Sequence, residues 1–206
     1  MRTHNIYKLF FAIVFYLGCL PGFGNASFAA QSAKKPKAVY AVVLTSMGSF
    51  DIKLFHTHAP KTVTHFISLV KGLKETVDIE TRKKVKSRYY DRLTIHRVVP
   101  GFMVQGGDPA GDGTGGPGVS VDQEINPDLE FDEAGIVAMA SPKGEKIGSQ
   151  FFITLSPQPD LNRNFTIFGQ VTKGMDIVKS ISETKRDLRD KPLTPVVMKS
   201  IQIQYR

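Results

Sequence analysis

From residue 93 to its end the chain is a succession of short β-branched and aromatic runs, nearly all separated by turn residues. Residues 93–99, 102–106, 136–140, 150–155, 166–171 and 196–205 have this character. Two more runs precede them, 38–45 (AVYAVVLT) and 49–55 (SFDIKLF). Ser46-Met47-Gly48 joins these two as a hairpin, with Asp51 and Lys53 alternating outward in its second arm. Short strands leave unpaired edges unless the sheet closes on itself, so this many of them point to a closed or nearly closed β-barrel.

Only two helices fit between the strands. Pro60 opens the first and Gly72 ends it, and Val63, Phe66, Ile67 and Val70 share one helical face between them. The second covers residues 175–182, with Met175, Ile177, Val178 and Ile181 as its apolar stripe. Both stripes read as core. Residues 71–92 are different in kind: Arg82, Lys83, Lys84, Lys86 and Arg88 crowd round Val85, as in an exposed loop or β-excursion. Between Arg82 and Arg88 there is no aromatic residue for bases to stack on, so nucleic acid is not the expected partner.

The beginning of the chain reads as a leader. Arg2 and Lys8 precede an uncharged apolar run at 9–20, followed by Pro21, Gly22 and Gly24 and then small residues suited to cleavage. That run spans only about 18 Å as a helix, short of a bilayer core of roughly 30 Å. We therefore expect a signal peptide at 1–29, a linker at 30–37 and one domain at 38–206 carrying a basic insertion at 73–89. The expected location is the periplasm. An uncleaved anchor or a lipid on Cys19 are the alternatives. Cys19 is the only cysteine of 206 residues, so neither a disulfide framework nor a thiolate zinc cluster can form. The remaining domain must be held by its core, and with 41% apolar residues that is feasible.

Several chemistries lack their residues. Gly111-Asp112-Gly113-Thr114-Gly115-Gly116 has the spacing of a dinucleotide loop, but Pro117 and an extended run follow it where a helix is required. His56 and His58 have no third metal ligand at a supporting spacing. No G-x-S-x-G elbow is present and no thiol lies outside the leader, so nucleophilic hydrolysis has no candidate. What remains is the stretch Ile95-His96-Arg97-Val98-Val99-Pro100-Gly101-Phe102-Met103-Val104-Gln105-Gly106-Gly107-Asp108, which sets one arginine and one amide among large apolar groups. Strand alternation puts Phe102 and Val104 on one face and Met103 and Gln105 on the other. Gly148-Ser149-Gln150-Phe151-Phe152-Ile153 repeats the style. On composition alone, ordinary barrel strands with a snorkelling arginine fit as well as a binding site does.

These blocks resemble the cyclophilin family of peptidyl-prolyl cis/trans isomerases. The first is similar to the family's FHRxxPGFMxQGGD signature; Gly113-Thr114-Gly115-Gly116, GIVAMA at 135–140, GSQFFI at 148–153 and Ile167-Phe168-Gly169 follow in the family's order. The resemblance spans 38–205. It implies a mainly β fold, an eight-stranded antiparallel closed barrel capped by two α-helices, and catalysis of X–Pro rotation that needs no metal or cofactor. By motif, Arg97 would be the catalytic cation. Phe102, Met103, Phe152 and Leu161 would line a proline pocket, with Phe165 at a position usually held by histidine or tyrosine. Gln105 and Gln150 would bond the peptide backbone, and Gly113, Ala140, Ser141 and Pro142 would form the adjoining groove. Expected partners are proline-containing unfolded or partly folded polypeptides, met by a monomer. Asp160 stands where many relatives carry a rim tryptophan, and the chain has none, so cyclosporin-type ligands should bind weakly. A proline-peptide-binding module or chaperone with little catalysis is the alternative reading.

Overall fold

The computed structural model describes residues 38–141 and 143–206. The leader at 1–29, the linker at 30–37 and Pro142 lie outside them. Eight strands close into an antiparallel barrel, as the resemblance implied. In chain order these are β1 (Val39–Thr45), β2 (Gly48–Leu54), β5 (Thr94–Val99), β6 (Met103–Asp108), β7 (Ile136–Met139), β8 (Phe151–Thr154), β9 (Ile167–Lys173) and β10 (Val196–Tyr205). Round the barrel they run β1-β10-β5-β6-β8-β7-β9-β2. The β1–β2 hairpin pairs Thr45 with Gly48 and Val39 with Leu54. Lys53 is exposed as its alternation requires, but Asp51 is not. The residue is only 7% exposed, and the Arg206 guanidinium covers its carboxylate at 2.9 Å. A partner 155 residues away left no local signal.

Helix α1 (Pro60–Val70) drives Val63, Phe66, Leu69 and Val70 into the barrel core, and α2 (Met175–Ser182) adds Val178 and Ile181. Phe66 alone packs against Tyr90, Phe168 and Phe151, with ring centroids 5.1, 5.2 and 6.0 Å away. Ala59 gives α1 no side-chain cap. Glu124 supplies one from across the molecule, accepting from Lys61 N at 3.0 Å, Thr62 N at 2.6 Å and Thr62 Oγ1 at 2.8 Å. A carboxylate there satisfies orphan amides and faces the positive end of the helix dipole.

The basic insertion is a β-excursion. Strands β3 (Thr76–Val77) and β4 (Lys84–Val85) pair as a two-stranded sheet. Asp78 closes their turn by accepting from Thr81 N and Oγ1, both at 2.7 Å. Val77 N reaches Pro117 O at 3.0 Å, which ties the excursion to the glycine-rich loop. At its base the buried His65 holds Lys74: Nδ1 lies 2.8 Å from Lys74 Nζ, and Nε2 lies 2.8 Å from Gly148 O. An ammonium can only donate, so Nδ1 accepts and Nε2 donates.

Candidate active site

The strands β7 and β8 are buried on both faces, so alternation there separates two apolar layers instead of inside from outside. Val137, Met139, Phe151 and Ile153 enter the barrel core. Ile136, Ala138 and Phe152 face the other way and join Met103, Phe131 and Ile167 in a second cluster on the barrel's outer side. Phe131 and Phe152 stack at 5.8 Å and 11°, and Phe165 meets Phe152 edge-on at 5.3 Å and 84°. Above this layer lies a cavity of about 210 Å³, lined by Arg97, Phe102, Met103, Gln105, Ala140, Phe152, Leu161 and Phe165.

The lining residues arrive from several elements. β5 delivers Arg97, while β6 delivers Met103 and Gln105. The 3-10 turn Pro159–Leu161 brings Leu161. Phe102 corrects the alternation argument, for it packs with Met103 beside the cavity whereas Val104 lies in the barrel core. It sits one residue before β6, in the turn at Gly101 (φ 74°), where strand periodicity does not yet apply. Asp160 is exposed in the 3-10 turn and does not line the cavity.

The polar side of the site is a relay of amides. Gln105 Nε2 donates to Gln150 Oε1 at 2.9 Å, and Gln150 Nε2 donates to Gly113 O and Gly115 O, both at 2.9 Å. The loop supplying those carbonyls is folded round the buried Asp108, whose carboxylate accepts from the backbone N–H of Ala110, Asp112 and Gly113 at 3.0, 2.9 and 2.6 Å. These amides are therefore committed to an internal carboxylate, which explains a dinucleotide-like spacing without a phosphate cradle. A Cβ on Gly115 would stand 2.1 Å from Asp108 Oδ1, so only glycine fits. Gly107 (φ 90°) is equally constrained, its virtual Cβ 2.4 Å from Ser149 O. That close approach lets Ser149 Oγ donate to Gly107 O at 2.7 Å and Tyr90 Oη to Ser149 O at 2.9 Å, fixing the residue before Gln150. Tyr89, 3.2 Å from Ser149 Oγ, has its phenol pushed up to about 12, chiefly by burial.

Arg97 is the one charged residue among those lining the cavity, and its side chain is 46% exposed. Its Nε lies 3.7 Å from Asp190 Oδ2. Gln150, Gly113 and Ser141 border the site without lining the cavity. Ser141 O accepts from Gln123 Nε2 at 2.7 Å. Sequence reasoning missed Phe131 and Asp190. Nothing local marks either one. Among the described residues no three His, Cys, Asp or Glu side chains are grouped to hold a metal ion.

The eight-stranded barrel with its two helices is the fold that the resemblance implied. The family model for cyclophilin-type peptidyl-prolyl cis-trans isomerase/CLD matches residues 40–203. Peptidyl-prolyl cis-trans isomerase B of Streptomyces anulatus is 43% identical over 171 residues, covering 82% of this chain and 98% of its own. Peptidyl-prolyl cis-trans isomerase A of Mycobacterium tuberculosis is 44% identical over 165 residues, covering 79% and 91%. A cyclophilin-type isomerase of Cryptosporidium parvum, crystallised in the presence of the dipeptide Ala-Pro, superposes with a TM-score of 0.70 at 32% identity, covering 81% of this chain and 99% of that one. The chain belongs to the cyclophilin-type peptidyl-prolyl cis-trans isomerase family. It is an enzyme of that class.

Proposed function

We propose that the cavity grips the proline ring of a polypeptide while Arg97 eases rotation of the preceding imide. An X–Pro bond resists rotation because twisting costs its resonance, a barrier of about 18–20 kcal/mol. The twisted state pyramidalises the proline nitrogen and localises its lone pair. A donor near that nitrogen therefore stabilises the transition state more than either planar form. The planar guanidinium offers several fixed donors and sits against apolar walls that strengthen its field. Phe102, Met103, Phe152, Leu161 and Phe165 fix the ring. Gln105 and Gln150 hold the peptide backbone, with Gly113, Ala140 and Ser141 as the groove beside it. Lowering the barrier by about 5 kcal/mol would supply between three and four decades of rate.

The observation that carries this reading is the shared cavity: the one charged lining group and five large apolar side chains bound the same 210 Å³. The Cryptosporidium relative's crystal structure in the presence of Ala-Pro supports a proline ligand for this kind of site. Substrates are unfolded or partly folded polypeptides, met by a monomer, and the basic, apolar and small-residue sequence of 1–29 supports export to the periplasm. With an exposed Asp160 in place of a rim tryptophan, cyclosporin-type ligands should bind weakly. A protease-coupled assay on an Ala-Pro peptide tests the catalytic assignment. Arg97→Ala should lose most of the rate, and a rate equal to wild type would refute it.

A further inference from the structure

Arg97 has a companion that approaches it from a loop more than ninety residues away. Asp190 presents Oδ2 to Arg97 Nε at 3.7 Å, while its Oδ1 accepts from Arg186 Nε at 3.2 Å. The loop is built to hold that carboxylate still. Asp187 Oδ1 accepts from Arg189 N at 2.8 Å and Lys191 N at 2.9 Å, and these donors keep its carboxyl below the usual carboxylate range. Asp187 N donates to Lys191 O at 2.9 Å and Asp190 N to Asp187 O at 3.1 Å, while Arg186 and Pro192 bridge the loop's ends. Val98 N donates to Asp190 O at 2.8 Å, which pins the loop to β5 one residue beyond Arg97. Asp190 itself takes φ 62°, a left-handed conformation that Asp and Asn tolerate better than most residues.

We propose that Asp190 is a positioning residue for Arg97, holding the guanidinium by its Nε edge so that the two terminal nitrogens are left to face the proline cavity. The inference rests on the catalytic reading of Arg97. A guanidinium on a long rotor gains most from being oriented before substrate arrives. Arg186 has its own part: by sharing the carboxylate, it limits how far Asp190 neutralises the charge that Arg97 turns toward the site.

Asp190→Asn and Asp190→Gly both keep the left-handed backbone and remove the charge, so folding is not the issue. Steady-state kinetics on an Ala-Pro peptide should show kcat reduced about three- to tenfold, with KM moving less than about twofold, between the effects of an exposed ion pair and of a misplaced catalytic group. The Nε–Hε resonance of Arg97 should shift in both variants. Added to Arg97→Ala, Asp190→Asn should cost nothing further. Wild-type kcat in both Asp190 variants, an unmoved Arg97 resonance, or an undiminished further loss in the Arg97→Ala background would each overturn the proposal. The two readings fail differently: a fully active Arg97→Ala sinks the catalytic assignment, whereas an inactive Arg97→Ala beside a fully active Asp190→Asn sinks only the tether.

Discussion

The two faces of strand β8 are almost equally hidden from water and do opposite things. Phe151 and Ile153 on the inner face meet α1 and the far wall of the barrel, and every neighbour is the protein's own. Phe152 on the outer face is packed from below by Phe131 and from the side by Phe165, and above it the cavity opens. Burial alone therefore does not mark a core. An apolar layer closed on both sides stores stability, and one closed on a single side offers the missing contact to something else. The same strand can do both because its side-chain period is two.

That contrast can be broken from either face. Phe151→Ala should cost about 3–5 kcal/mol, as for other buried aromatic truncations. Urea denaturation would read this loss, and the activity of the molecules still folded should be unchanged. Phe152→Ala should reverse the balance, with a smaller stability loss and a drop in kcat/KM of about tenfold or more from one lost aromatic contact. Equal effects of the two substitutions on both quantities would erase the distinction. Gly107→Ala forces a Cβ against Ser149 O at a positive φ, and should cost about 1–3 kcal/mol. Because that contact fixes the residue before Gln150, peptide affinity should fall as well; a variant with wild-type Tm and KM would show that the β6–β8 approach is looser than drawn.

The smallest effect concerns pH and belongs to the inner side. Burial holds the His65 ring below its ordinary value of 6.5; the Gly148 carbonyl works against this and Lys74 with it. Its folded pKa is depressed, so its contribution to stability is complete above 6.5 and drains away as pH falls toward the folded value. His96, also depressed mainly by burial, acts with the same sign. Tm should thus decline between about pH 7 and 5, less steeply in His65→Gln, which loses one titrating ring. Parallel curves for the two proteins would remove His65 from the account.

Much of the molecule could be read from the chain because its signals are local. Pro60, Gly72 and a helical apolar stripe define α1, and β-branched runs between turn residues define the barrel strands. The fold class followed from those signals together with the family motifs. All eight residues round the cavity belong to the set named from those motifs. What escaped was tertiary. Asp51 seemed solvent-facing because its cover, Arg206, comes from the chain's other end. Phe131 lies in an acidic, aperiodic stretch and becomes the cavity's foundation only when the outer layer assembles. Asp190 belongs to a polar loop whose meaning depends on β5 passing beside it. Phe102 defeated the alternation rule by standing just outside its strand.

Exchange NMR on a short Ala-Pro peptide, titrated with wild type and Arg97→Ala, yields both the dissociation constant and the cis–trans rate on the enzyme. Arg97→Ala should keep a dissociation constant within about threefold of wild type and lower the on-enzyme rate by two decades or more, as expected when an interaction made only in the twisted state is removed. A bound peptide that still flips at the wild-type rate without the guanidinium would contradict the catalytic assignment.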